Sequence, residues 1–80
     1  MPYNSKSFGI VISSLRVSKG LTQEKLSGLS GISRSHLAAL EKGEKVVKLD
    51  TLWRIADALE ISPSELVQKT ECENRKTECV

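Results

Sequence analysis

Apolar residues recur along this chain at intervals of three and four, broken by short polar or glycine-bearing stretches, which is the spacing of amphipathic helices. Phe8, Val11, Ile12 and Leu15 place a first helix over residues 7–18, and Lys19-Gly20 closes it, because glycine adopts the left-handed turn that satisfies the last carbonyls. Thr22 stands just before Gln23-Glu24-Lys25, where its hydroxyl serves as an N-cap for a second helix reaching about residue 30, with Leu26 and Leu29 turned inward or nearly so. Gly31-Ile32-Ser33 then supplies a tight bend, a corner plug and the next cap. A third helix over residues 34–41 directs Leu37 and Leu40 to the core and ends at Gly43 after Lys42.

Beyond the loop at residues 44–48, Leu49, Leu52, Ile55, Ala56 and Leu59 form the stripe of a fourth helix. Ser62-Pro63-Ser64-Glu65 is a capping box with proline at the first helical position, and it opens a fifth helix through about residue 69 with Leu66 inward. After Thr70 the apolar period is lost. Residues 1–6 are thus read as an N-terminal tail, 7–69 as one all-α domain of five helices, and 70–80 as a disordered polar tail. Two short helices joined by a compact glycine turn match a helix-turn-helix. A helix as short as the third is marginal alone, so packing must hold it and its outer face is free to meet a partner.

Eighty residues suffice for one such domain, since a chain this short buries only about 60% of its unfolded surface. A hydrophobic share of 39% with 28% charged residues excludes collagenous and wholly disordered classes. No apolar run approaches the roughly 18 residues of a membrane span, and the N-terminus lacks a signal-peptide core, so a cytoplasmic location is expected. Charge is unevenly spread: residues 1–48 hold eight Lys/Arg against three Glu, whereas residues 49–80 hold four against seven acidic residues. The basic half is where an anionic partner would dock, although the usual meaning of such an imbalance alone is a solvated surface. Cys72 and Cys79 lie in the polar tail without a nearby histidine, which argues against structural zinc and for a free pair, with a redox link as the weaker alternative. One histidine, no glycine-rich phosphate loop and no metal-ligand cluster argue against an enzyme. Asp50 and Asp57 share a helix face, but solvated helix carboxylates are far commoner than catalytic pairs. No cofactor, catalytic residue or small-molecule pocket is expected.

The run GLTQEKLSGLSGISRSHLAALEKGEK, followed by LDTLWRIADALEISPSEL, resembles the phage-repressor and Cro-like (XRE-type) helix-turn-helix family over roughly residues 8–67. Gly20-Leu-Thr-Gln23, Gly31-Ile-Ser33, Leu40-Glu41-Lys-Gly43 and Leu52…Ile55-Ala56…Ala58-Leu59 carry the resemblance, in order and without gaps. It implies a compact five-helix bundle of the lambda-repressor-like DNA-binding type, whose third helix enters the major groove of double-stranded DNA. By the same resemblance Gln23 touches phosphate, and Arg34, Ser35 and Ala39 look toward base edges with His36 beside them. An arginine there reads guanine through O6 and N7, whereas an exposed arginine on phosphate is the plainer alternative. Lys42, Lys45 and Lys48 follow the recognition helix and suit the phosphate backbone, as does Ser33 at its cap. Arg16 and Glu41 hold the positions of a structural ion pair between the first and third helices. Ala38 and Ala39 depart from the polar residues of many relatives, which shifts part of any specificity to DNA shape. Gly28 and Ser27 within the second helix, and Val47-Lys48 before the fourth, are further departures.

Val46, Val47 and Trp53 are apolar but lie off the core stripe, and they are the candidate surface of a homodimer. A dimer would set two recognition helices roughly 34–36 Å apart on a palindromic operator. The chain resembles restriction-modification controller proteins as well as plain repressors, and the sequence does not choose between them. A second class of function is a protein-binding module, such as an antitoxin or anti-regulator on the same fold. The basic recognition face argues against that class; the two alanines mildly favour it.

Overall fold

The computed structural model describes residues 2–78, the last two by their backbone alone. Five helices follow one another: α1 (Ser5–Ser18), α2 (Gln23–Ser30), α3 (Arg34–Lys42), α4 (Leu49–Ala58) and α5 (Pro63–Glu78), with no strand among the described residues. The caps are local. The hydroxyl of Thr22 accepts from Lys25 N at 3.0 Å, that of Ser33 from His36 N at 3.1 Å and that of Ser62 from Glu65 N at 3.1 Å. Asn4 accepts from Lys6 N at 2.9 Å, so α1 begins at Ser5, two residues before the apolar period reveals it. Lys48 gives α4 no side-chain cap.

The helices end alike. At the close of α2 the left-handed Gly31 (φ 73°) lets Ile32 N donate back to Ser27 O at 3.1 Å, which satisfies an orphan carbonyl. The same pairing closes α4, from Ile61 N to Ala56 O at 3.0 Å, but there Glu60 takes the positive φ of 60°. No glycine announces that turn in the sequence.

Phe8, Ile12, Leu26, Leu37, Leu40, Ile55, Leu59 and Leu66 fill the core and are essentially withdrawn from solvent. Each such burial is worth about 1.5–3 kcal/mol, and burial on this scale must outweigh the conformational entropy lost on ordering the chain. Around this core α1 packs on α3 and α5, α2 on α3 and α4, and α4 on α5. Four expectations are corrected. Leu29 and Leu49 are 53% and 67% exposed rather than inward. Val47, expected on the surface, packs partly buried against the core from its loop. The stretch from residue 70 is not a disordered tail over its described part: α5 continues to Glu78.

Hydrogen bonding between polar groups explains that extension. Thr70 and Asn74 are buried; the Thr70 hydroxyl donates to Leu66 O at 2.9 Å, Ser7 Oγ donates to Asn74 Oδ1 at 3.2 Å, and Asn74 Nδ2 donates to Pro2 O at 2.9 Å. The far half of α5 is thus held to α1 and the N-terminal segment by satisfied polar groups, which leave no apolar period to read. Cys72 is exposed on this helix, and Cys79 lies outside the described residues.

Candidate nucleic-acid interface

The architecture presents α3 as a short amphipathic rod. Leu37 and Leu40 sink into the core, which fixes the rotation of the helix and leaves Arg34, Ser35 and Lys42 exposed, with His36, Ala38 and Ala39 half-buried at the edge. Nine residues rise about 13 Å, and the helix cylinder matches the width of a B-DNA major groove. At its start the Ser33 and Ser35 hydroxyls stand 3.4 Å apart, and Ser33 also caps the helix, so its oxygen already serves the fold.

Arg16, Arg54 and Arg75 each pair with a carboxylate, at 2.8, 3.1 and 3.4 Å, whereas Arg34 has no such partner among the described residues. Lys42, Lys45 and Lys48 are exposed and form no ion pair among the described residues either. These four cations follow one another along α3 and the loop after it. Uncompensated cations gathered in one stretch of chain suit a polyanion, because neutralising phosphates releases counterions.

Behind this face lies a buried polar junction. Arg16 Nε donates to Glu41 Oε2 at 2.8 Å and Arg16 Nη2 to Glu41 Oε1 at 3.2 Å, a two-pronged pair whose side chains are 16% and 6% exposed. Arg16 Nη1 donates to Leu21 O at 2.8 Å, which ties in the turn between α1 and α2. Gln23, expected to be turned toward phosphate, donates its Nε2 to Glu41 Oε1 at 3.0 Å. Its sequence position signals an exposed helix-opening residue, and only the packing of α2 against α3 brings it to Glu41.

Val46 and Trp53 are 71% and 53% exposed, and Leu49 joins them. Leu49 and Trp53 are four residues apart on α4 and therefore share a face, whereas Val47 does not belong to that patch. Sequence reasoning assigned Leu49 to the core stripe; its spacing from Trp53 was the signal for the other assignment. On the same helix Asp50 accepts from Arg54 Nε at 3.1 Å, the ordinary surface pairing of a solvated helix.

A helix-turn-helix family model matches residues 12–66, more than half of the chain. The HTH-type transcriptional regulator y4dJ of Sinorhizobium fredii is 41% identical over 66 residues, spanning 82% of this chain and 86% of that protein. The crystal structure of the restriction-modification controller protein C.AhdI from Aeromonas hydrophila superposes with a TM-score of 0.76 at 42% identity, over 78% of this chain and 94% of that one. The controller protein C.Esp1396I, solved as a tetramer in complex with its natural 35 base-pair operator, superposes with a TM-score of 0.81 at 25% identity, over 91% and 96% of the two chains. With the matched segment running from α1 into α5 and the helix-turn-helix at its centre, the chain belongs to the helix-turn-helix family, and its relatives include transcriptional regulators and restriction-modification controller proteins.

Proposed function

We propose that this protein is a sequence-specific, double-stranded-DNA-binding transcriptional regulator of the controller type, acting as a homodimer on a palindromic operator. The observation that carries the reading is Arg34: exposed, free of any carboxylate partner among the described residues, and set in the first turn of a helix locked by Leu37 and Leu40. A guanidinium so placed reads guanine bidentately, while Ser35 and the half-buried Ala39 complete the base-facing surface with little hydrogen-bonding choice of their own. His36 and Ser33 flank it. Lys42, Lys45 and Lys48 supply phosphate contacts, which set affinity and register without naming a sequence. The operator complex of C.Esp1396I supports this use of the fold.

Val46, Leu49 and Trp53 form the contact between two copies, which spaces the two α3 helices by roughly one DNA turn. No helix among the described residues is long and apolar enough to cross a membrane, in keeping with a regulator working on DNA in the cytoplasm. The protein acts by occupying a site rather than by chemistry, and the position of that site relative to a promoter sets the sign of regulation.

The test is selection of bound duplexes from a randomised pool at near-physiological salt, with wild type and Arg34→Ala side by side. An enriched palindrome whose preference relaxes at one base pair per half-site in the variant is the expected result. Retention without enrichment, fading smoothly with salt, would overturn the reading in favour of a protein-binding module.

A further inference from the structure

Glu41 accepts three hydrogen bonds from two other elements: two from Arg16 of α1 and one from Gln23, the first residue of α2. A carboxylate held by an arginine only accepts, so it fixes the orientation of the Gln23 amide: Nε2 faces Glu41 and Oε1 faces away. One of the two Nε2 hydrogens is used in that bond, at 3.0 Å, and the second is left. Gln23 is half-buried, and the junction behind it is closed to solvent on the Glu41 side, whose side chain is 6% exposed.

We infer that Glu41, backed by Arg16, is a positioning residue for DNA binding: it locks the Gln23 amide so that its remaining N–H meets a backbone phosphate. The inference rests on the DNA-binding reading above. Each partner has a distinct part. Glu41 removes the rotamer freedom that a glutamine otherwise loses on contact, so the phosphate bond forms with less ordering cost. Arg16 offsets the carboxylate charge, which would otherwise repel a phosphate lying one amide away. The ion pair is then more than a cross-link between α1 and α3, because it transmits the position of α3 to the start of α2 and holds both ends of the helix-turn-helix to one register.

A double-mutant cycle read as operator affinity tests this. Arg16→Met with Glu41→Met removes the pair without stranding a charge, a replacement proteins often accept. Gln23→Ala is expected to weaken binding about ten-fold or more in the wild-type background, the size of one hydrogen bond to a charged acceptor, and less than about two-fold in the Met/Met background. The dependence on salt should be unchanged by Gln23→Ala, since a neutral amide releases no counterion. Equal losses in the two backgrounds would overturn the positioning role and leave the pair merely structural. Should the Met/Met chain fail to fold, the side-chain amide of Gln23 in the wild type decides. By NMR one Nε2 proton is expected to be protected in the free protein and the second to become protected on adding operator, whereas two unchanged protons would refute the inference. A wild type that enriches no duplex sinks the DNA reading itself, so the two failures are told apart.

Discussion

Gly9 of α1 lies directly against the backbone carbonyl of Glu41 in α3. A Cβ at that position would overlap this oxygen and come within 2.6 Å of the carbonyl oxygen of Leu40, and neither atom can turn aside as a side chain does. The two helices therefore approach as closely as they do because residue 9 has no side chain. Gly9→Ala is expected to cost about 1–3 kcal/mol despite the better helix propensity of alanine. Gly28 is the contrast, an exposed helix glycine whose added Cβ would meet nothing within 4 Å. Gly28→Ala should stabilise by about 0.5–1 kcal/mol. Urea unfolding followed by circular dichroism measures both, and a neutral Gly9→Ala would show that the crossing can relax.

Asn74 joins the far half of α5 to Ser7 and Pro2. Asn74→Ala removes the acceptor of the buried Ser7 hydroxyl and is expected to cost about 1–3 kcal/mol, the usual penalty for a stranded buried polar group. Thermal melts together with amide exchange over residues 70–76 check it. A change without effect would mean that α5 is frayed there in solution.

Lys42, Lys45 and Lys48 are exposed and unpaired among the described residues, and so is Arg34 in the first turn of α3. Replacing Lys45 by alanine should weaken binding to all duplexes alike and flatten the plot of log affinity against log salt by about 0.9 for one lost phosphate contact. Arg34→Ala should instead lower discrimination, by about 1–3 kcal/mol at one base pair. Anisotropy titrations over a salt series with cognate and altered duplexes separate the two behaviours, and a uniform loss for Arg34→Ala would assign that side chain to phosphate.

Leu49 and Trp53 are more than half exposed, so removing them leaves the core of a single chain intact. Leu49→Glu with Trp53→Ala is expected to give a folded monomer by sedimentation, with the wild type a dimer at the same concentration. Operator affinity should fall with it, because each half-site is then bound separately. A variant that stays dimeric would place the interface elsewhere.

Much of the fold was legible because its signals are local. The hydroxyls of Thr22, Ser33 and Ser62 cap the helices they precede, Gly31 and Gly43 end α2 and α3, and the stripe of Leu52, Ile55, Ala56 and Leu59 faces the core. Glu60 escaped notice because its left-handed turn is made by a residue type that rarely adopts it. The exposure of Arg34 and Lys42 was legible, since neither falls on the stripe of Leu37 and Leu40 that α3 buries. Leu49 and Val47 exchanged their expected places because one lies at the rim of a stripe and the other in a loop, where periodicity does not distinguish solvent from core.

The sequence by itself determined that this chain makes short helices around a small apolar core, with a glycine-hinged pair presenting arginine, serine and lysine outward. Caps, turns and helical periods are written within a few residues, and the chemistry of a few residues decides them. Only the tertiary structure decided that α5 runs to Glu78 and that Gln23 is bound to Glu41. Both depend on hydrogen bonds between distant polar residues, Ser7 with Asn74 at a separation of 67 positions and Gln23 with Glu41 at 18. Such pairs leave no period in the sequence, and whether two polar groups meet is settled by how the helices pack.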